Sequence, residues 1–226
     1  MTTALHEQRL DAIVEAVRDC RAGTVLDLGC GDGPCLLRLM EEPGVRTIVG
    51  IDVSASALER LRRRLQKTPS EARRKVELRN HSFMEPSGER DDFDIALLVE
   101  SIEHIDPDRL TLVERAVFAH YAPAAVAITT PNADFNPLIG VPGHRFRHPD
   151  HRFEWGRARF RSWAKGVASR NGYAVSHRDL AGAHPQLGGA SQMALFRHLA
   201  PVRHASGRSN VQLAKRSRTA IRSSAR

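Results

Sequence analysis

Apolar residues recur at helical spacing at the start of the chain, where Leu10, Ile13, Val14 and Val17 predict an amphipathic helix over Leu5 to Cys20. The short apolar run Val25-Leu26-Asp27-Leu28 reads as a buried strand and leads straight into Gly29-Cys30-Gly31-Asp32-Gly33. Helical spacing resumes from Pro34 to Met40, with Pro34 suited to the first turn. Thr47 to Asp52 is a second strand, and Ser54 is placed to cap a helix through Leu58, Leu61 and Leu65. Val76 to Arg79 makes a third strand. Asp94 to Val99 makes a fourth, with the unbroken apolar run of a strand covered on both faces. Asp106-Pro107 opens a helix carrying Leu110, Val113, Val117 and Tyr121, and Ala125 to Thr130 is a fifth strand. Periodicity then disappears from Pro131 to Trp155, a stretch rich in Pro, Arg, His, Asp and aromatic residues; a loop that long in a compact domain is usually functional. A helix over 157–171 follows, then closing strands at Tyr173 to Arg178 and Gln192 to Phe196. Strands alternating with helices predict an α/β fold, a doubly wound seven-stranded sheet.

Composition narrows the class. With 226 residues, 41% hydrophobic and 27% charged, the chain can bury a full core. No apolar run approaches a bilayer span, and the N-terminus lacks a basic stretch leading into an apolar one. Cys20, Cys30 and Cys35 have neither the number nor the spacing of a disulfide framework or a cysteine zinc site. A reduced cytoplasmic setting without membrane contact is expected. Seven of the eight net positive charges lie in residues 200–226, which hold no acidic residue. The expected division is a folded domain over 1–199 and a basic, disordered tail over 200–226. Such a tail suits either nucleic-acid phosphates or simple solubility.

The glycine turn carries the first chemical signal. Gly29, Gly31 and Gly33 lie between a strand and a helix, where the chain turns sharply and a ligand approaches the backbone. The carboxylate of Asp27 suits a ligand bearing an amine rather than a phosphate. Asp52 closes the second strand, where an acid can accept from ribose hydroxyls. Asp-x-Gly-x-Gly-x-Gly with a later Asp resembles the cofactor motifs of class I S-adenosylmethionine (SAM) methyltransferases, which have a Rossmann-like fold. The resemblance implies methionine contacts near Asp27, Gly29 and Gly31, and adenosine contacts at Asp52 and around Ser82 and Phe83.

The acceptor side is signalled after the fourth strand. Glu100, Glu103 and His104 stand at i, i+3 and i+4, one face of a helical turn. Two neighbouring carboxylates repel unless a proton or cation lies between them. Mixed oxygen and nitrogen ligands suit Mg²⁺, Mn²⁺, Fe²⁺ or Co²⁺. A fourth ligand is available between His144 and Trp155, and spacing alone does not separate His148 from His151.

Glu-x-x-Glu-His, Thr-Pro-Asn at Thr130 to Asn132, and Phe-Arg-His-x-Asp-His-x-Phe-Glu-Trp at Phe146 to Trp155 closely resemble the Hen1 small-RNA 2′-O-methyltransferases. The resemblance spans roughly Val25 to Tyr173. It implies that Glu100, Glu103, His104 and His151 hold one divalent cation, Mg²⁺ or Mn²⁺, and that the acceptor is the 3′-terminal ribose of an RNA. His151 is chosen because it fills the Asp-His position of the motif. A cation shared by the 2′- and 3′-hydroxyls would lower the 2′-OH pKa and select a free 3′ end.

Arg145, Arg147, Arg152 and Arg157 flank these residues as candidate phosphate contacts, and Phe146 or Phe153 as a base-stacking ring. Trp155 and Trp163 read as core. Two departures from the family are visible. Bacterial members often carry an N-terminal domain that works with an RNA end-healing and ligating enzyme, whereas this chain begins almost at the methyltransferase fold. Gly156 replaces the usual Thr after Glu-Trp, so the following helix is expected to lose a hydroxyl cap and fray. The rival readings are a metal-free methyltransferase of a small metabolite and a non-catalytic RNA-binding module.

Overall fold

The computed structural model describes residues 4–86 and 92–199. Among them, seven strands form one sheet: β1 (Thr24–Leu28), β2 (Thr47–Asp52), β3 (Val76–Asn80), β4 (Ile95–Val99), β5 (Ala125–Pro131), β6 (Tyr173–Leu180) and β7 (Ser191–His198). Their order is β3-β2-β1-β4-β5-β7-β6. β1 to β5 run parallel, and β7 enters antiparallel between β5 and β6. The direction of winding reverses between β1 and β4, which opens a crevice at the carboxyl ends of those strands.

Alternation along each strand feeds two cores. Val25, Ile48, Ile95 and Leu97 pack with helices α1 (Ala4–Asp19), α2 (Pro34–Leu39) and α3 (Ala55–Gln66). Leu26, Val49, Ala96 and Leu98 pack on the other face, against the segment after Pro107 and helix α6 (Arg157–Asn171). Burying each such Leu or Ile contributes roughly 2 kcal/mol. A short helix, α4 (Ser70–Arg73), has no counterpart in the periodicity. Ser54 caps α3 by accepting from the Ala57 amide, as its position implies.

The helix expected after Asp106-Pro107 is not uniform. It begins as a 3₁₀ turn over Pro107–Arg109, continues as α5 (Leu110–Glu114), and widens into a π-helix over Arg115–Tyr121. The wider turn admits an extra ring to the buried side: Phe118 meets Tyr173 and Phe196 edge-on, with centroids 5.2 and 4.9 Å away. The start of α6 also differs from expectation. Gly156 offers no side chain, but the Asp134 carboxylate accepts from the Arg157 amide and supplies the cap from another loop. A side chain at Gly156 would collide with that carboxylate.

No helix among the described residues is long and apolar enough to cross a membrane. The basic tail over 200–226 lies outside the described residues.

Candidate active site

The glycine turn leaves β1 with Gly29 at φ +78°, Gly31 at +55° and Gly33 at +80°, conformations that side chains disfavour. A Cβ at Gly29 would lie 2.8 Å from Ser101 Oγ, so the turn seats directly on the segment after β4. At Gly31 the same position meets nothing within 4 Å and faces open space. Asp52 organises this turn: Oδ2 accepts from the Gly31 amide at 2.8 Å, and Oδ1 from Ser54 at 2.7 Å.

Asp27 is 2% exposed, and its Oδ2 has no hydrogen-bond partner. Burial, together with the charge of Asp52, raises its pKa to about 7. A buried carboxyl left bare is costly unless a donor arrives, and an ammonium group is the matching donor. This bare acceptor thus fits the amine end of S-adenosylmethionine. Ser82 and Phe83 follow β3. The Ser82 hydroxyl accepts from the Met84 amide, while the Phe83 ring packs into the core.

Glu100 sits at the end of β4 in the left-handed region, at φ 50°. Its amide donates to the carbonyl and the hydroxyl oxygen of Thr129. Ile102–His104 is a 3₁₀ turn, not an α-helical one. The single helical face expected for Glu100, Glu103 and His104 is therefore corrected: the backbone kink at Glu100 brings it beside Glu103. Glu103 is fully buried, whereas His104 is turned to the exposed rim.

Each glutamate has one oxygen occupied and one bare. Arg9 Nη1 donates to Glu100 Oε2 at 3.1 Å, and Thr130 Oγ1 to Glu103 Oε2 at 3.1 Å. Oε1 of both residues is buried without a partner. Burial raises the Glu100 carboxyl above its ordinary range. Burial, reinforced by the neighbouring Glu100 charge, raises Glu103 further. Two bare buried carboxylate oxygens fit a divalent cation.

Three imidazoles form a separate cluster; on the segment carrying His148 and His151, the Arg152 amide donates to the Glu103 carbonyl at 2.7 Å. The His104 ring lies 4.8 Å from His151 and 5.8 Å from His148, centroid to centroid, and ligand atoms of all three fall within 4.8 Å of one another. His151 and His148 differ in their surroundings. The His151 side chain is 8% exposed and its Nδ1 donates to Glu154 Oε1 at 2.6 Å, whereas His148 is at the rim, 53% exposed. Burial and the two neighbouring imidazoles lower the His104 pKa, which keeps a lone pair available.

Arg147 does not serve as the expected phosphate contact. Its guanidinium donates to Asn136 Oδ1, the Ala190 carbonyl and the Asn132 carbonyl, which makes it a clamp on the long loop. Arg157 is likewise paired with Asp134 and Asp179. Arg145 and Arg152 are exposed, with Arg152 3.7 Å from Asp106. Phe153 stacks on Trp155 in the core, and Phe146 is 47% exposed. Trp155 is buried as expected, Trp163 only partly.

Sequence reasoning missed Arg9, which lies 91 residues from Glu100. It also gave no role to Glu154, although that residue was in the motif; a carboxylate three residues after a candidate His ligand was the available signal.

Residues 25–123 match a family described as a methyltransferase domain. The small RNA 2′-O-methyltransferase of Rattus norvegicus is 36% identical over 177 residues, covering 76% of this chain and 44% of that protein. A crystal structure of the methyltransferase domain of bacterial CtHen1 superposes with a TM-score of 0.76 at 35% identity, covering 87% of this chain and all of that one. The small RNA methyltransferase HEN1 gives a TM-score of 0.78 at 31% identity, over 88% of this chain and 26% of that one. This chain spans about half the length, or less, of the curated relatives it matches. The sheet order, the glycine turn and the full-length match to a solved domain agree, and the chain belongs to the Hen1 methyltransferase-domain family.

Proposed function

We propose that this chain moves the methyl group of S-adenosylmethionine to the 2′-oxygen of the 3′-terminal ribose of a small RNA, with one divalent cation, Mg²⁺ or Mn²⁺, held by Glu100, Glu103, His104 and His151. The observation that carries this reading is the pair of bare, buried Oε1 atoms on Glu100 and Glu103. The names of the relatives support the acceptor class.

Asp27 holds the cofactor's ammonium group, and the open side of Gly31 admits its backbone approach. Asp52 keeps the turn in shape while its remaining lone pairs face ribose hydroxyls. Glu154 fixes His151 with Nδ1 protonated, which leaves Nε2 as its ligand atom. Arg9 and Thr130 occupy the outer oxygens of the glutamates and so aim the inner ones. When bound, the cation supplies Lewis-acid polarisation of the ribose hydroxyls. Overall the C–S bond of the sulfonium breaks, a C–O bond forms, the 2′-hydroxyl proton is released, and S-adenosylhomocysteine leaves. Arg145, Arg152 and Phe146, all exposed, would receive the terminal nucleotides.

The test is incubation with labelled cofactor, Mn²⁺ or Mg²⁺, and RNAs ending in 2′,3′-hydroxyls, a 3′-phosphate or a 2′-deoxyribose. Label is expected only in the first, with its end made resistant to periodate. Equal labelling of all three ends overturns the reading.

A further inference from the structure

The charge of the described residues is segregated. Residues 59–79 carry nine Lys or Arg against three acids, whereas the remaining described residues carry 17 against 21. This segment forms the outer face of α3, then α4, then the edge strand β3. Leu58, Leu61 and Leu65 turn inward, and Arg60, Arg62, Arg63, Arg64 and Lys67 are exposed on the other side. Arg73 and Arg74, at the end of α4, are exposed as well.

Few of these charges are neutralised. Glu59 pairs with Arg62 and Arg63 at 3.8 and 3.3 Å, and Arg64 donates to the Asp32 carbonyl in the glycine turn. Arg60, Lys67, Arg73 and Arg74 have no ion-pair partner among the described residues. The other cation-rich stretch, around α6, contrasts with this: Arg157 pairs with Asp134 and Asp179, Arg161 with Asp179, and Arg170 with Glu114. Seven exposed cations between positions 60 and 74 repel one another and are stabilised by a polyanion.

We infer that the α3–α4 face binds the phosphodiester backbone of the RNA body, upstream of the methylated end. This rests on the proposed RNA acceptor. From 55 to 80 there is no aromatic side chain to stack on a base, and the leucines of α3 are buried. A protein partner needs an apolar centre to its interface, whereas a phosphate backbone needs only charge. The contact is therefore indifferent to sequence. The Arg64 to Asp32 bond makes the face continuous with the cofactor turn.

The experiment compares the full chain with a variant carrying Arg60→Gln, Lys67→Gln, Arg73→Gln and Arg74→Gln. All four side chains are exposed, and thermal melting confirms that the fold is kept. Binding of a single-stranded RNA of roughly twenty nucleotides is measured by fluorescence anisotropy across a salt series. The variant is expected to lose about tenfold in affinity at low salt, and its log–log salt slope to become shallower by about 0.7 for each phosphate contact removed. A companion variant, with lysine at the three arginine positions and Lys67 retained, keeps the steep slope, and methylation of a trinucleotide is unchanged in both. An unchanged slope in the glutamine variant overturns the inference. Steep, patch-dependent RNA binding without methyl transfer would overturn the functional reading alone.

Discussion

Glu154 Oε1 lies 2.6 Å from His151 Nδ1, and both side chains are nearly excluded from solvent. The same carboxylate also accepts from the Arg147 amide at 2.7 Å and from Asn136 Nδ2 at 2.7 Å. With three donors its orientation is fixed, and so is the tautomer of the imidazole. Glu154→Ala is expected to weaken metal affinity about 10- to 100-fold. Calorimetric titration with Mn²⁺ reads this directly, and cofactor affinity in the same variant should not change.

Asp27 predicts a pH dependence with a definite sign. Its folded pKa of about 7 stands above the ordinary carboxylate value of 3.8 because burial disfavours the charge. Between those two values the folded state holds a proton that the unfolded state has lost. Stability of the cofactor-free protein therefore falls as pH rises through that window and levels off above it. Asp27→Asn should flatten this part of the melting curve and add up to about 4 kcal/mol at alkaline pH. The same variant should lose cofactor binding. For the wild type, cofactor affinity weakens as pH drops below about 7, because the ammonium group needs the ionised carboxylate.

Gly29→Ala combines a left-handed backbone with a Cβ 2.8 Å from Ser101 Oγ. A loss of about 1–3 kcal/mol is expected in denaturant unfolding, together with loss of cofactor binding.

Arg147 and Arg145 separate structure from recognition. Arg147→Ala strips donors from three acceptors, two on the loop and one just before β7, and is expected to lower stability by more than 2 kcal/mol, as does removal of other buried hydrogen-bond networks. Arg147→Lys should not rescue it, since a point charge cannot reproduce the fork. Arg145→Ala should leave the melting temperature alone and weaken RNA binding.

Much of this was legible because the signals are local. The strands are short apolar runs bounded by turn residues, and Glu-x-x-Glu-His sits at the end of one of them. The missing parts depend on distant contacts. Nothing near Arg9 announces Glu100, the cap on α6 comes from Asp134 across the loop, and Arg147 looks like any loop arginine until its three acceptors fold around it. The convergence of Glu100 and Glu103 was foreseen for the wrong geometric reason: a left-handed residue and a 3₁₀ turn achieve it, not an α-helical face.

Equilibrium dialysis against Mn²⁺, with wild type and Glu103→Ala side by side and cofactor affinity measured in both, is the most direct test of the metal centre. One Mn²⁺ per wild-type chain, lost in Glu103→Ala while cofactor affinity stays, is the predicted result. Equal Mn²⁺ occupancy in the two proteins would contradict the account.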